Sequence, residues 1–226
     1  MLCAIHQPNF FPWLGYFDKI RQSDIFVFLD NVQIQKTGSS WVNRTKLNYL
    51  GKEKWFTCPI KRPSGYIRIN EVEFSEKNWK EHLLNVLCSY YKNYTNYKSC
   101  YSLLHKLLNE INTENLAEFN IHIIKSLALQ FNYKTIFILQ SDLGIKSNAT
   151  DLLIDICKKV GAASYLCGGG ASGYQEDILF KENKINLIYQ NFSEKSLTNK
   201  KDFIPGLSII DYYMEYNEAS FYMAKH

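Results

Sequence analysis

Four unbroken apolar runs constrain this chain more than any other feature, because each stops abruptly in polar or glycine residues. Leu2-Cys3-Ala4-Ile5 ends in His6-Gln7-Pro8-Asn9. Ile25-Phe26-Val27-Phe28-Leu29 ends in Asp30-Asn31-Val32-Gln33, and Thr135-Ile136-Phe137-Ile138-Leu139 ends in Gln140-Ser141-Asp142. Ser164-Tyr165-Leu166-Cys167 ends in Gly168-Gly169-Gly170. A short continuous apolar run is the signature of a strand buried on both faces, as in a parallel sheet covered by helices. The first two runs flank a segment, Leu14 to Ile20, suited to a short helix, which makes a βαβ unit. If the four strands are parallel, their four polar endings share one rim, where open α/β sheets bind ligands.

The remaining segments fit around that sheet. Residues 31–48 show no clean periodicity. Lys54 to Ile60 reads as a strand, and the alternation from Ile67 to Phe74 predicts a second, half-exposed strand joined to it by a loop at Lys61–Gly65. Residues 77–131 carry three helical stripes, through Trp79, Leu83 and Leu87, then Leu104, Leu107 and Leu108, then Phe119, Ile123, Ile124 and Leu127. A helix over Asn148–Val160 closes at Gly161, a short helix covers Tyr174–Glu182, and a strand covers Ile185–Tyr189. A last helix runs around Leu207–Tyr216. The fold class expected is α/β with a mostly parallel, Rossmann-like sheet, as one domain over 1–226 with a helical insertion at 77–131. With 46% hydrophobic residues among 226, such a domain can bury a full core.

Charge and cysteine usage exclude several classes. The formal net charge is only +4, and the 26 basic residues are scattered, which argues against nucleic-acid binding. None of the six cysteines forms a Cys-x-x-Cys, and no Cys/His spacing suits zinc, so no metal or cofactor motif emerges. The opening MLCAIHQPNFF lacks a basic stretch followed by an apolar one, and no run approaches the roughly 18 apolar residues of a membrane span. A cytoplasmic protein with free thiols is expected.

The candidate site residues come from the strand endings. His6 is suited to proton transfer near neutral pH, or alternatively to a buried hydrogen bond with its loop. Asp30 and Asp142 are each an acid, a base, a metal ligand or a helix cap. Gly168, Gly169 and Gly170 either cradle an anion or make a plain turn. Arg44 suits a carboxylate or phosphate, or simply faces solvent. Gln7, Asn9, Gln33, Asn43 and Ser141 offer hydrogen bonds, and Tyr174 follows the glycine run. Fifteen percent of the chain is aromatic, and the segment Phe10, Phe11, Trp13, Tyr16 and Phe17 concentrates it beside His6. These rings are expected to wall the pocket, with Trp13 and Tyr16 stacking on a ring or bracing the loop. Cys3 and Cys167 fall within strands and are expected to be buried and inert.

Those residues carry a resemblance. His6-Gln7-Pro8-Asn9-Phe10-Phe11-Pro12-Trp13-Leu14-Gly15-Tyr16-Phe17 resembles the opening signature of the WbqC-like family. Further matches are Asp24 to Gln33, Asn43-Arg44, Trp55 to Ile60, Tyr165 to Ala171 with Tyr174, and Pro205 to Asp211. One departure is Cys167-Gly168-Gly169, where the family pattern has a serine–glycine step. The resemblance implies a role in surface polysaccharide, in particular O-antigen and lipopolysaccharide, biosynthesis in bacteria. It implies a transferase moving a small acyl or aminoacyl group to an amino sugar. The expected partners are an activated sugar or nucleotide-sugar and, for an acyl donor, a carrier-protein thioester. In that reading His6 takes the amine proton, Asp30 or Asp142 orients it, and Arg44 with the glycines holds the donor's anionic part. A weaker likeness joins Trp13-Leu14-Gly15-Tyr16 to the HIGH motif of nucleotidylyltransferases, although neither Trp13 nor Tyr16 supplies that motif's cationic histidines. A non-catalytic sugar-binding or assembly protein is the third reading.

Overall fold

The computed structural model describes residues 1–35, 40–61, 65–168, 177–194 and 204–216. Five strands form one wholly parallel sheet: β1 (Leu2–His6), β2 (Ile25–Phe28), β5 (Ile136–Leu139), β6 (Ser164–Cys167) and β7 (Asn186–Tyr189). Their spatial order is β5-β2-β1-β6-β7. His6 pairs in register with Phe28, and Phe28 with Leu139, so these carboxyl ends are level. Ala4 pairs with Leu166, which brings the end of β6 to the same edge on the other side of β1. All four apolar runs are therefore strands, and their polar endings line one rim.

The chain leaves β1 toward β2 and β5, then returns to the opposite side for β6 and β7. The direction of winding reverses between β1 and β6. In open parallel sheets this reversal opens a crevice, because the connections on either side diverge.

Alternate strand residues bury against opposite layers. Ala4, Phe26, Phe28 and Leu166 face a large core shared with α1 (Leu14–Gln22), α2 (Trp79–Tyr91), α3 (Tyr97–Glu110), α4 (Leu116–Gln130) and α7 (Ile209–Tyr216). Cys3, Ile5, Val27, Tyr165 and Cys167 face a smaller core closed by α5 (Ala149–Lys159) and α6 (Asp177–Glu182). The three helical stripes of 77–131 form α2, α3 and α4. Asn115 starts α4 by accepting the amide of Glu118 at 3.0 Å, which satisfies one orphan donor of the first turn.

The middle of the chain differs from expectation. Residues 31–48 contain a strand, β3 (Arg44–Tyr49), paired antiparallel with β4 (Lys52–Thr57). The hairpin turns through Leu50 and Gly51, at φ +52° and +77°, and two residues in the left-handed region match the twist of a hairpin. The alternating stretch Ile67–Phe74 is not a strand. Its backbone donors are spent one by one on separate partners: Ile69 on Val32, Asn70 on Asp30 and Phe74 on Glu114. A single 3-10 turn at Ile69–Glu71 results, and the buried Ile69, Val72 and Phe74 knit the rim loops to α4.

The aromatic wall expected beside His6 is mostly core. Phe10, Phe11, Tyr16 and Phe17 are fully buried. Phe10 stacks on Phe56 and Phe119 at 6.0 Å, and Phe17 meets Phe131 edge-on at 5.4 Å. They cement the loop after β1 to the hairpin and helical layers, and only Trp13 of this group retains partial exposure.

Candidate functional site at the strand-end rim

His6 is the last residue of β1, the central strand, so it stands in the middle of the rim. It is half-buried. Its Nδ1 lies 3.2 Å from the carbonyl oxygen of Gln7, which can only accept, so Nδ1 carries the proton and donates. The ring packs edge-on against Tyr16 at 4.8 Å, and Tyr16 Oη donates to the same Gln7 carbonyl at 2.9 Å. The imidazole is thus fixed in one tautomer, with Nε2 as the unprotonated nitrogen. Burial, and then the ammonium of Lys19, push its pKa down to about 3. His6 is therefore neutral at physiological pH: a hydrogen-bond acceptor at Nε2 that takes a proton only from a group made acidic by reaction.

Asp30 follows the end of β2 and is buried. One carboxylate oxygen accepts the amide of Ser141 at 3.0 Å, and the other lies 3.4 Å from Asn70 Nδ2. Gln140 Oε1 accepts the amide of Asn31 at 3.1 Å, a second tie between the loops after β2 and β5. Asp30 thereby joins three segments of the rim, and its carboxylate is spent on that task. Ser141 and Asp142 lie in a 3-10 turn after β5 with exposed side chains. Gln33 is exposed and bridges to Arg68 through the backbone.

The other candidates divide between scaffold and rim. Asn43 is buried, donating Nδ2 to the carbonyl of Cys58 at 3.1 Å, so it holds the hairpin's base. Asn9 is buried within the loop after β1, and Gln7 is half-buried at its start. Trp13 caps α1 and lays its indole across Gly15, where a β-carbon would meet ring atoms at 2.3 to 2.6 Å. Arg44 projects from β3, its guanidinium 4.1 Å above the Trp55 ring, and its buried Nε has no hydrogen-bond partner among the described residues. This pairing pre-orients Arg44 on the hairpin beside the loop after β1. Gly168 stands immediately after β6, and no atom of the described residues lies within 4 Å of where its β-carbon would be. Gly169, Gly170 and Tyr174 lie outside the described residues. The rim therefore joins His6, Gln7, the tied Asp30–Ser141 pair and Gly168, while Asn43 and Tyr16 serve beneath it. Neither of the positions matching the HIGH-motif histidines, Trp13 and Tyr16, offers a cation.

Sequence reasoning missed Lys19, which lies on α1 and is buried. Its Nζ donates to the carbonyl of Ile5 at 3.0 Å and sits 5.9 Å from the Tyr165 ring. No carboxylate among the described residues pairs with it, and burial pushes its pKa down to about 8. The neighbouring Asp18 instead accepts from Arg21, Gln22 and Gln190. The available signal was the apolar spacing of α1: Tyr16 and Ile20 face inward, and Lys19 falls between them on the same arc. Two buried carboxyls were also missed. Glu194 and Asp211 are each pushed up to about 7, chiefly by burial. Among the described residues, no group of three or more His, Cys, Asp or Glu is placed to hold a metal ion, and no helix is long and apolar enough to cross a membrane.

Comparison with known proteins supports the residue-level resemblance. An uncharacterized protein of Mycobacterium tuberculosis, Rv1507c, is 24% identical over 213 residues, covering 92% of this chain and 90% of that protein. No solved structure matches the chain. The model of the WbqC-like protein family matches residues 7–222, which include every candidate site residue but His6. The chain belongs to the WbqC-like protein family.

Proposed function

We propose that this protein is a cytoplasmic transferase of surface polysaccharide biosynthesis, moving a small acyl or aminoacyl group onto the amine of an amino sugar or nucleotide-sugar. The observation that carries the reading is His6: a central, tautomer-fixed, neutral imidazole with its basic nitrogen unprotonated. A neutral sugar amine needs an acceptor for one N–H, and Nε2 provides it. As the amine nitrogen attacks the donor carbonyl, the carbon–nitrogen bond forms and the nitrogen gains positive charge, so its N–H becomes acidic. Nε2 then takes that proton even though it is weakly basic in the resting site. Collapse breaks the bond to the donor's leaving group, a thiolate for a thioester donor, and the imidazolium returns the proton to it. Asp30 acts here as a positioning residue, holding the loops after β2 and β5 together. Gln7 supplies hydrogen-bonding groups for sugar hydroxyls, and the Gly168 backbone lets the donor approach closely.

The direct test incubates the purified protein with an acyl-carrier thioester and a nucleotide-linked amino sugar, and follows the sugar by mass. The expected result is a gain equal to one acyl group, lost with His6→Ala. A screen of donors and amino sugars without any mass gain would overturn the reading. One observation favours a non-catalytic sugar-binding role instead: Asp30, the buried carboxylate candidate of the rim, already has both oxygens engaged. That reading predicts that His6→Ala leaves polysaccharide modification intact in cells.

A further inference from the structure

Lys19 is an anomaly for a structural lysine. Lysine is almost never fully buried unless paired, because an ammonium removed from water without a counter-charge is costly. Here the residue is 3% exposed, with the Ile5 carbonyl as its hydrogen-bond partner and no carboxylate beside it among the described residues. Asp18, one residue away, points its carboxylate to other partners.

Its position removes the arbitrariness. Ile5, which accepts its hydrogen bond, is the penultimate residue of β1, directly before His6. Tyr165, whose ring it approaches, is on β6, two residues before the strand's end at Cys167. Lys19 thus lies between β1 and β6, under the one place where the sheet's winding reverses. Above it, the strand endings offer a neutral imidazole on one side and, at Gly168, a backbone with no described side chain over it on the other. A buried positive charge below the strand-end crevice, with no anion among the described residues to balance it, is an arrangement completed by a negative ligand.

We infer that the crevice between the ends of β1 and β6 is an oxyanion-group site, in which a phosphoryl or carboxylate group of the substrate sits over Lys19 between His6 and Gly168. The inference rests on the rim being the substrate site, and it extends that reading by assigning the anion to the sheet's switch point rather than to Arg44. Lys19 acts through its field and through the Ile5 carbonyl it holds. In a low-dielectric setting that field is strong, and it favours an anion at the crevice over a neutral group. His6, kept neutral by the same charge, stays an acceptor for the substrate's other end.

The test uses the full chain and three probes at matched ionic strength: inorganic phosphate, pyrophosphate and acetate. Thermal unfolding and calorimetric titration are measured for the natural protein, Lys19→Met, Lys19→Arg and Gly168→Asp. Phosphate or pyrophosphate binding more tightly than acetate marks a phosphoryl group as the ligand, and the reverse marks a carboxylate; both support the inference. Lys19→Met, which swaps the ammonium for an apolar chain of similar length, weakens the preferred anion roughly tenfold or more, and Lys19→Arg retains part of the affinity. Gly168→Asp, which puts a carboxylate into the crevice, blocks the anion in a protein whose lysine is intact, so the inference stays testable should Lys19→Met fail to fold. Natural protein unaffected by all three probes, or equal affinity in the Lys19→Met or Gly168→Asp protein, would overturn it. Anion binding that depends on Lys19 in a protein without transfer activity would leave this site standing and reject the transferase reading instead.

Discussion

At the residue scale, the site is defined by charges that the fold withholds from water. His6 is the clearest case. Its folded pKa, near 3, lies below the 6.5 of an unfolded histidine, so the unfolded chain binds a proton that the folded one refuses. Its contribution to stability is present above pH about 6.5 and is lost as pH falls toward 3. NMR of the labelled ring will show His6 in its neutral Nδ1–H form from pH 7 down to about 4. A His6 resonance that titrates near 6.5 would contradict the account. Gly15 offers a steric test. Gly15→Ala drives a methyl into the Trp13 indole at 2.3 to 2.6 Å, so the ring or the start of α1 must shift. The expected cost is about 1–3 kcal/mol of stability, measured by urea unfolding.

At the element scale, the pieces differ in how plainly the sequence announced them. β1, β2 and β6 are buried on both faces, and that condition writes itself as an unbroken apolar run; β5, at the sheet's edge, carries the same run with Ile136 60% exposed. The helices α2 to α4 each bury one stripe, and their spacing says so. β3 was invisible because Thr45 and Leu47 are its two deeply buried residues and polar side chains fill the rest. Its turn was still legible: Leu50-Gly51 between Tyr49 and Lys52 is a two-residue link ending in glycine. Leu50 is exposed and sits at φ +52°, so Leu50→Asn, which tolerates that conformation, should stabilise the hairpin by roughly 0.5–1 kcal/mol in urea unfolding. Ile67–Phe74 misled in the opposite sense. Burial of Ile69, Val72 and Phe74 mimics strand alternation in part, although the backbone pairs with three unrelated segments.

The junction of α7 with α2 and β3 carries an element-scale pH dependence. Asp211 on α7 accepts from Tyr91 Oη of α2 at 2.5 Å and from the amide of Asn48 on β3 at 3.0 Å. Its second oxygen is buried without a partner among the described residues, and burial raises its pKa to about 7 from 3.8. A raised carboxyl pKa means that the folded state holds a proton the unfolded state has released. Stability from this group is complete below pH about 4 and declines as pH rises to about 7. Glu194, raised to about 7, acts in the same direction, and His6 opposes both. Asp211→Asn removes one contribution, so the difference between natural and variant unfolding free energies should change by roughly 2–4 kcal/mol between pH 4 and 7.5. A constant difference across that range would refute the assignment.

At the scale of the whole molecule, the parallel sheet decides where chemistry can occur, and the sequence reached that conclusion through four strand endings alone. Which endings act and which merely hold was beyond it. Asp30 and His6 look alike as polar residues after apolar runs, yet one is saturated by Ser141 and Asn70 and the other keeps a nitrogen unprotonated. That distinction depends on partners 40 to 111 residues away, which no local pattern encodes. Lys19 had only the local signal of its place on the inward arc of α1, and an isolated lysine on a short helix reads as surface until the β1–β6 crevice is placed over it.

The central claim is that the rim around His6 transfers a group to a sugar of the surface polysaccharide. It is tested most directly by the mass of that polysaccharide from cells carrying the natural gene, cells lacking it, and cells carrying His6→Ala in its place. The account predicts that one acyl or aminoacyl substituent per repeat unit is present in the first and absent from the other two. An unchanged glycan mass in cells lacking the gene would contradict it.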